Sequence, residues 1–236
     1  MSSPKPTIYI LGAGPGVGSE LASLFATHNF NIGLTTRSTS SSTSIAAKLK
    51  ELHPNTTIVT ATADGSRPES VTAALDSLRE QFEGRAPTVV VYNIASLGRD
   101  NSSLGPTPLE NVTLETMQTH LTISLASGFV TAQWAAKNLA PASDGMKPML
   151  FFTGGGLGVS PNPKLAGLSM AKAALRNLSM SYHLELKPKG IHAATVMIMA
   201  TITPNNPNHT PKLIAAEFWK LYKQKDVDLW SPEVLY

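Results

Sequence analysis

The chain has 236 residues, 42% of them apolar and 15% charged, with a formal net charge of +3. That balance describes an ordinary globular core, excludes disorder, collagen and coiled coil, and provides no basic run suited to nucleic acid. Without cysteine there are no disulfides, thiolate metal sites or cysteine nucleophile, and no apolar run approaches the roughly 20 residues of a spanning helix, so no membrane partner and a cytoplasmic location are expected.

Residues 7–11 form an apolar run, 17–28 carry helical spacing and 31–35 return to a strand. A Ser/Thr run over 38–44 reads as a solvated loop ending in a helix N-cap. Residues 57–62 predict a strand, 68–83 a helix and 88–92 a fully buried strand. A long helix follows over 114–139, then a strand at 149–153, a helix at 169–186 and a strand at 192–198. Strands that alternate with helices and are continuously apolar imply a parallel sheet covered on both faces. The expected fold class is therefore α/β: a doubly wound, Rossmann-like parallel sheet of six to seven strands in one domain over residues 1–236. Segments 154–167 and 201–211 are rich in Gly or Pro and follow strand carboxyl ends, which makes both candidate walls of a site.

Between the first strand and first helix stand Gly12, Gly14, Pro15, Gly16, Val17 and Gly18. Glycines in that setting let the backbone approach a pyrophosphate whose charge the helix amino terminus meets. Position 17 is valine, so G-x-G-x-x-G is not satisfied, whereas G-x-x-x-G-x-G is, through Gly12, Gly16 and Gly18.

These residues, with Ala63 and Asp64 after the third strand and Asn93, Ile94 and Ala95 after the fourth, resemble the short-chain dehydrogenase/reductase family over nearly the full length. The resemblance implies a dinucleotide held by the glycine turn, an acidic position at Asp64 for the adenine amino group, and Asn93–Ala95 lining the cofactor. An NAD site of this kind ends its second strand in a carboxylate, but here Thr36, Arg37 and Ser38 stand there. Arg37 can pair with a 2′-phosphate through its planar fork, so the expected cofactor is NADP(H); the competing reading is an ordinary surface arginine.

The family's catalytic set is Asn, Ser, Tyr and Lys. Lys172 is present, but Leu168 holds the tyrosine position, Gly155 the serine position and Ser124 the asparagine position. The pattern resembles a divergent branch lacking the tyrosine. It implies that Lys172 holds the cofactor ribose and that Ile202, in the segment after the last long strand, borders the cofactor. Thr153 and His120 are the candidate replacement acids. His120 lies one helical turn before Ser124, so both can face one cleft; the alternative for His120 is a helix-face residue. Tyr92 reads first as a core residue. The expected partners are a small-molecule substrate and a second or further copy of the chain, in a homodimer or homotetramer paired through the two long helices, with Trp134 and Tyr182 in the seam. No His or carboxylate cluster suggests a metal.

Overall fold

The computed structural model describes residues 5–96, 104–143, 145–202 and 206–236. Among them, seven parallel strands form one sheet: β1 (Thr7–Leu11), β2 (Asn31–Thr36), β3 (Ile58–Thr62), β4 (Val89–Tyr92), β5 (Met149–Gly155), β6 (His192–Ile198) and β7 (Glu233–Leu235). Their spatial order is β3-β2-β1-β4-β5-β6-β7. The helices are α1 (Val17–Thr27), α2 (Thr39–Leu52), α3 (Pro68–Gln81), α4 (Leu114–Leu121), α5 (Ser127–Asn138), α6 (Ala166–Leu186) and α7 (Pro211–Tyr222). The doubly wound parallel sheet expected from the alternating pattern is the one observed.

Side chains of successive strand residues point to opposite faces, so a strand apolar at every position feeds two cores. Ile8, Ile10, Val89, Val91, Met149 and Phe151 pack beneath Leu21 and Phe25 of α1 and Ile214 and Phe218 of α7. Tyr9, Leu11, Val90, Tyr92, Leu150 and Phe152 pack against Leu75 of α3, Ala132 of α5 and Leu175 of α6. The chain winds outward from β1 to β3 and then crosses back to lay β4 on the other side of β1. The carboxyl ends of β1 and β4 thus flank the switch point, where ligands bind in open sheets of this kind.

Two expectations are corrected, and a third gains a detail. The Ser/Thr run is helix, not loop: α2 begins at Thr39, Ser38 is its N-cap through a bond from the Ser41 N–H, and Leu49 anchors it on the core. Hydroxyls at 42 and 43 donate back to the Thr39 carbonyl, so polar side chains serve the helix interior here. The long helix is present as expected, α4 running unbroken into α5 through a π-helical turn over Thr122–Ala126. There the buried Tyr92 hydroxyl donates to the Ile123 carbonyl. The second correction concerns Trp134. Its indole donates to the Asp76 carboxylate at 2.7 Å and lies against Tyr9, so it is built into this chain's own core and not into a seam. Tyr182 is half-buried and packs on that same core.

Among the described residues no helix is long and apolar enough to cross a membrane, and no group of three or more His, Cys, Asp or Glu is placed to hold a metal ion.

Candidate active site

The glycine turn is built from two kinds of glycine. Gly12 has φ +87, and a Cβ on it would stand 2.9 Å from the Ile94 nitrogen; one on Gly18 would stand 2.7 Å from Ala13 Cα. These two let the turn close onto the end of β4. At Gly14 and Gly16 a Cβ would meet nothing within 4 Å, so that side of the turn is open. The N–H groups of Gly12 and Ala13 both donate to the Thr35 carbonyl, at 3.2 and 2.8 Å, which pins the turn to the end of β2. Gly16 caps α1 without a side chain; the Ser19 N–H donates to the Gly14 carbonyl at 3.1 Å, and the N–H groups of Val17 and Gly18 have no side-chain cap. Pro15 is exposed at the tip and Val17 is buried beneath.

At the end of β2, Thr36 is buried and its hydroxyl donates to the Ser38 carbonyl at 2.6 Å. Arg37 is exposed and has no ion-pair partner among the described residues. It stands beside the amino terminus of α2 within electrostatic reach of the Asp64 carboxylate, and the Ser38 hydroxyl is bonded there to those of Ser40 and Ser41. Ala63 is buried and its N–H donates to the Thr36 carbonyl. One oxygen of Asp64 accepts from both the hydroxyl and the N–H of Ser66, and these bonds hold its carboxyl below the usual range, with Arg67 and Arg37 adding to the effect.

Asn93 joins the two halves of the site. Its side-chain N–H donates to the Gly12 carbonyl at 2.8 Å, and its side-chain oxygen accepts from the Thr153 hydroxyl at 2.7 Å. Lys172 then donates to the Thr153 carbonyl at 2.9 Å. A continuous chain of hydrogen bonds therefore runs from the glycine turn to α6, its last link donated by the Lys172 ammonium. Sequence reasoning placed Asn93 and Thr153 separately and missed both this link and the hold of Thr35 on the turn. The only local signal was their shared position at strand carboxyl ends.

Lys172 is 8% exposed, and burial alone brings its ammonium down to about 8. Leu168, one turn earlier on the same helix, is also buried. Ile94 is half-buried and Ala95 exposed beside the turn, while Ile202 is exposed beyond β6. The rest of that wall, residues 203–205 of the 201–211 segment, lies outside the described residues.

The candidate replacement acids are differently placed from expectation. The Thr153 proton is engaged by Asn93. His120 is 4% exposed and does not open on the cleft. It is wedged between Ser96, whose hydroxyl lies 2.8 Å from Nδ1, and Gly167, where a Cβ would come within 2.5 Å of the ring. Desolvation lowers its pKa, so it stays neutral at pH 7. Ser124 is fully enclosed in the π turn, its hydroxyl without a partner among the described residues. Ser169 donates to the Leu165 carbonyl and accepts from the Asn162 N–H, which fastens the loop onto the first turn of α6.

A sequence model of the family described as short chain dehydrogenase matches residues 6–213. The very-long-chain 3-oxoacyl-CoA reductase of Coccidioides immitis is 26% identical over 188 residues, which cover 80% of this chain and 51% of that protein. The chain thus spans about half the length of that relative. Among solved structures, an alcohol dehydrogenase from the archaeon Thermococcus sibiricus complexed with 5-hydroxy-NADP superposes with a TM-score of 0.82 at 22% identity, covering 99% of this chain and 96% of that one. A short chain dehydrogenase from Burkholderia cenocepacia in complex with NADP gives 0.79 at 21% identity, covering 98% and 95%. The family match runs from the residue before β1 into the first turn of α7 and so takes in nearly all of the architecture above: the chain belongs to the short chain dehydrogenase family.

Proposed function

We propose that the protein is an NADP(H)-dependent oxidoreductase acting on a small organic substrate with a degenerate catalytic set. The observation that carries this reading is the glycine turn. Gly14 and Gly16 open onto the uncapped amino terminus of α1 at the switch point, where a backbone-lined cradle fits a pyrophosphate. Gly12 through Gly18 hold that group, with Pro15 and Val17 shaping the tip and base of the turn. Thr36, Arg37 and Ser38 hold the 2′-phosphate, and Ala63 and Asp64 the adenine. Asn93, Ile94, Ala95 and Ile202 border the remainder, and Lys172 holds the nicotinamide ribose. When bound, the cofactor supplies or accepts a hydride. The NADP and 5-hydroxy-NADP complexes of the two solved relatives support the choice of dinucleotide.

NADPH is expected to bind more tightly than NADH by roughly 10- to 100-fold, the worth of one charge-assisted phosphate contact. Arg37→Asp should erase or reverse that ratio in a fluorescence titration. Equal affinity of the unmodified protein for both nucleotides sinks the NADP(H) assignment.

Leu168 and Gly155 favour a second reading, a non-redox enzyme or a catalytically silent binding protein on the same scaffold. Nucleotide that binds but is never oxidised or reduced across a substrate panel would select it.

Assembly into a homodimer or homotetramer through α4–α5 and α6 belongs to the same proposal. Phe129 and Met170, on those helices, are apolar and 44% and 43% exposed. Sedimentation should return two or four times the 25.0 kDa of the chain at micromolar concentration, and a single-chain mass contradicts it.

A further inference from the structure

Two observations meet beside β5. The first is a buried ammonium without an anion. Lys172 is engaged by the Thr153 carbonyl and takes part in no ion pair among the described residues. An ammonium carries three donors, so two remain for a ligand. The second is room for a further heavy atom where other residues would carry a Cβ. Gly155 has extended backbone, and a Cβ built on it would find Lys172 Cε at 3.8 Å, Lys172 Cδ at 3.9 Å and the Ile198 carbonyl at 4.0 Å as its nearest neighbours. The lysine stem is the nearest wall of that space, and Nζ lies one bond beyond Cε.

Nothing else assigned to the site delivers a proton there. Leu168 has none to give, Thr153 is held by Asn93, Ser124 is enclosed and His120 is wedged against Gly167. We propose that Lys172 itself is the proton donor, acting on a substrate oxygen seated above Gly155, and that the substrate is an activated carbonyl compound of the quinone or α-diketone class. This rests on the NADP(H) reading above. As a hydride from NADPH adds to the carbonyl carbon, the π pair of the C=O bond moves to oxygen. The Nζ–H bond then breaks as that oxygen takes the proton. Lys172 is left as a neutral amine, which water reprotonates, and NADP+ is the oxidised product.

The substrate class follows from what is missing. With no hydroxyl at 155 or 168 to polarise the oxygen, electrophilicity must come from the substrate itself. The Thr153 carbonyl accepts from its ammonium and Gly155 lies against its stem, neither of them titratable, and burial is the sole cause of its displaced titration. An ammonium near 8 is matched to proton transfer at neutral pH.

The test follows reduction of 9,10-phenanthrenequinone at saturating NADPH between pH 6 and 10, with NADPH affinity measured separately by fluorescence. The rate of the unmodified protein should hold below about pH 8 and fall above it. Lys172→Met should lose about 100-fold or more in rate, the usual worth of a positioned acid, and with it the break in the pH profile. Gly155→Val, which fills the space, should lose turnover while NADPH still binds. If Lys172 only holds ribose, Lys172→Met will weaken NADPH binding and leave the profile unchanged, and the proposal is overturned. NADPH binding without any quinone turnover by the unmodified protein also overturns it and leaves the cofactor reading standing. No NADPH binding at all overturns the cofactor reading instead.

Discussion

Gly16→Val is expected to abolish nucleotide binding, a loss of at least about 100-fold in affinity, while costing the fold about 1–2 kcal/mol. The two effects separate because of what surrounds the position. A Cβ at Gly16 meets no atom within 4 Å. The fold therefore loses little beyond the modest penalty of a β-branched residue at an N-cap. The added methyls stand on the open side of the turn, where the pyrophosphate would approach. Gly18→Val should behave in the opposite way. Its Cβ would come 2.7 Å from Ala13 Cα and 2.8 Å from the Gly12 carbonyl, both backbone atoms that cannot swing aside. That change should cost the fold about 1–3 kcal/mol or more. Fluorescence titration with NADPH and thermal denaturation of both variants check the pair. Gly16→Val that still binds would mean the glycine serves only the turn.

The second large effect is on acid stability. His192 starts β6 fully buried, its ring stacked on Trp230 at 4.7 Å and its Nε2–H donating to the Ser231 carbonyl at 2.8 Å. Its other nitrogen has no partner among the described residues. Desolvation, with small contributions from the nearby His183 and Lys187, pushes its pKa down to about 4. The neutral ring is the folded form, so the stabilisation is complete above the unfolded value of about 6.5 and is lost as pH falls toward about 4. At about 1.4 kcal/mol for each factor of ten, the loss reaches about 2 kcal/mol by pH 5 and about 3 kcal/mol by pH 4. Buried His120 is shifted in the same direction and adds to it. The carboxyls of Asp64 and Glu233, held low by Ser66 and Arg176, respond only at more acid pH. Urea unfolding at pH 7 and pH 5 should show this drop, and His192→Phe, which keeps the stack, should remove most of it. An unchanged difference in that variant would assign the acid sensitivity elsewhere.

The strands, the helix alternation and the glycine turn were legible in the chain because each is written locally. Runs such as Ile8–Leu11 and 89–92 are apolar at every position because both sides of a parallel sheet are covered. Gly12 and Gly18 announce a turn that no side chain would permit. Arg37 was visible as a strand-end cation for the same reason. The α2 helix was hidden because its first turns are Ser and Thr, whose propensity argues for loop; Leu49 on the core decides otherwise.

The arrangement of the site was settled in three dimensions. Asn93 and Thr153 are 60 residues apart, and only the pairing of β4 with β5 brings the hydroxyl of one to the amide of the other. Helical spacing left His120 either facing the cleft or on an ordinary helix face. A helix face can be open or covered, and Gly167, by having no side chain, lets α6 close over it. Trp134 went the same way, drawn inward by Asp76 and Tyr9. From the sequence alone came most of the elements, the glycine turn, and leucine and glycine at positions 168 and 155. Burial and contact between distant segments decided which polar groups keep a free proton, because desolvation and hydrogen-bond satisfaction depend on neighbours that spacing along the chain does not specify.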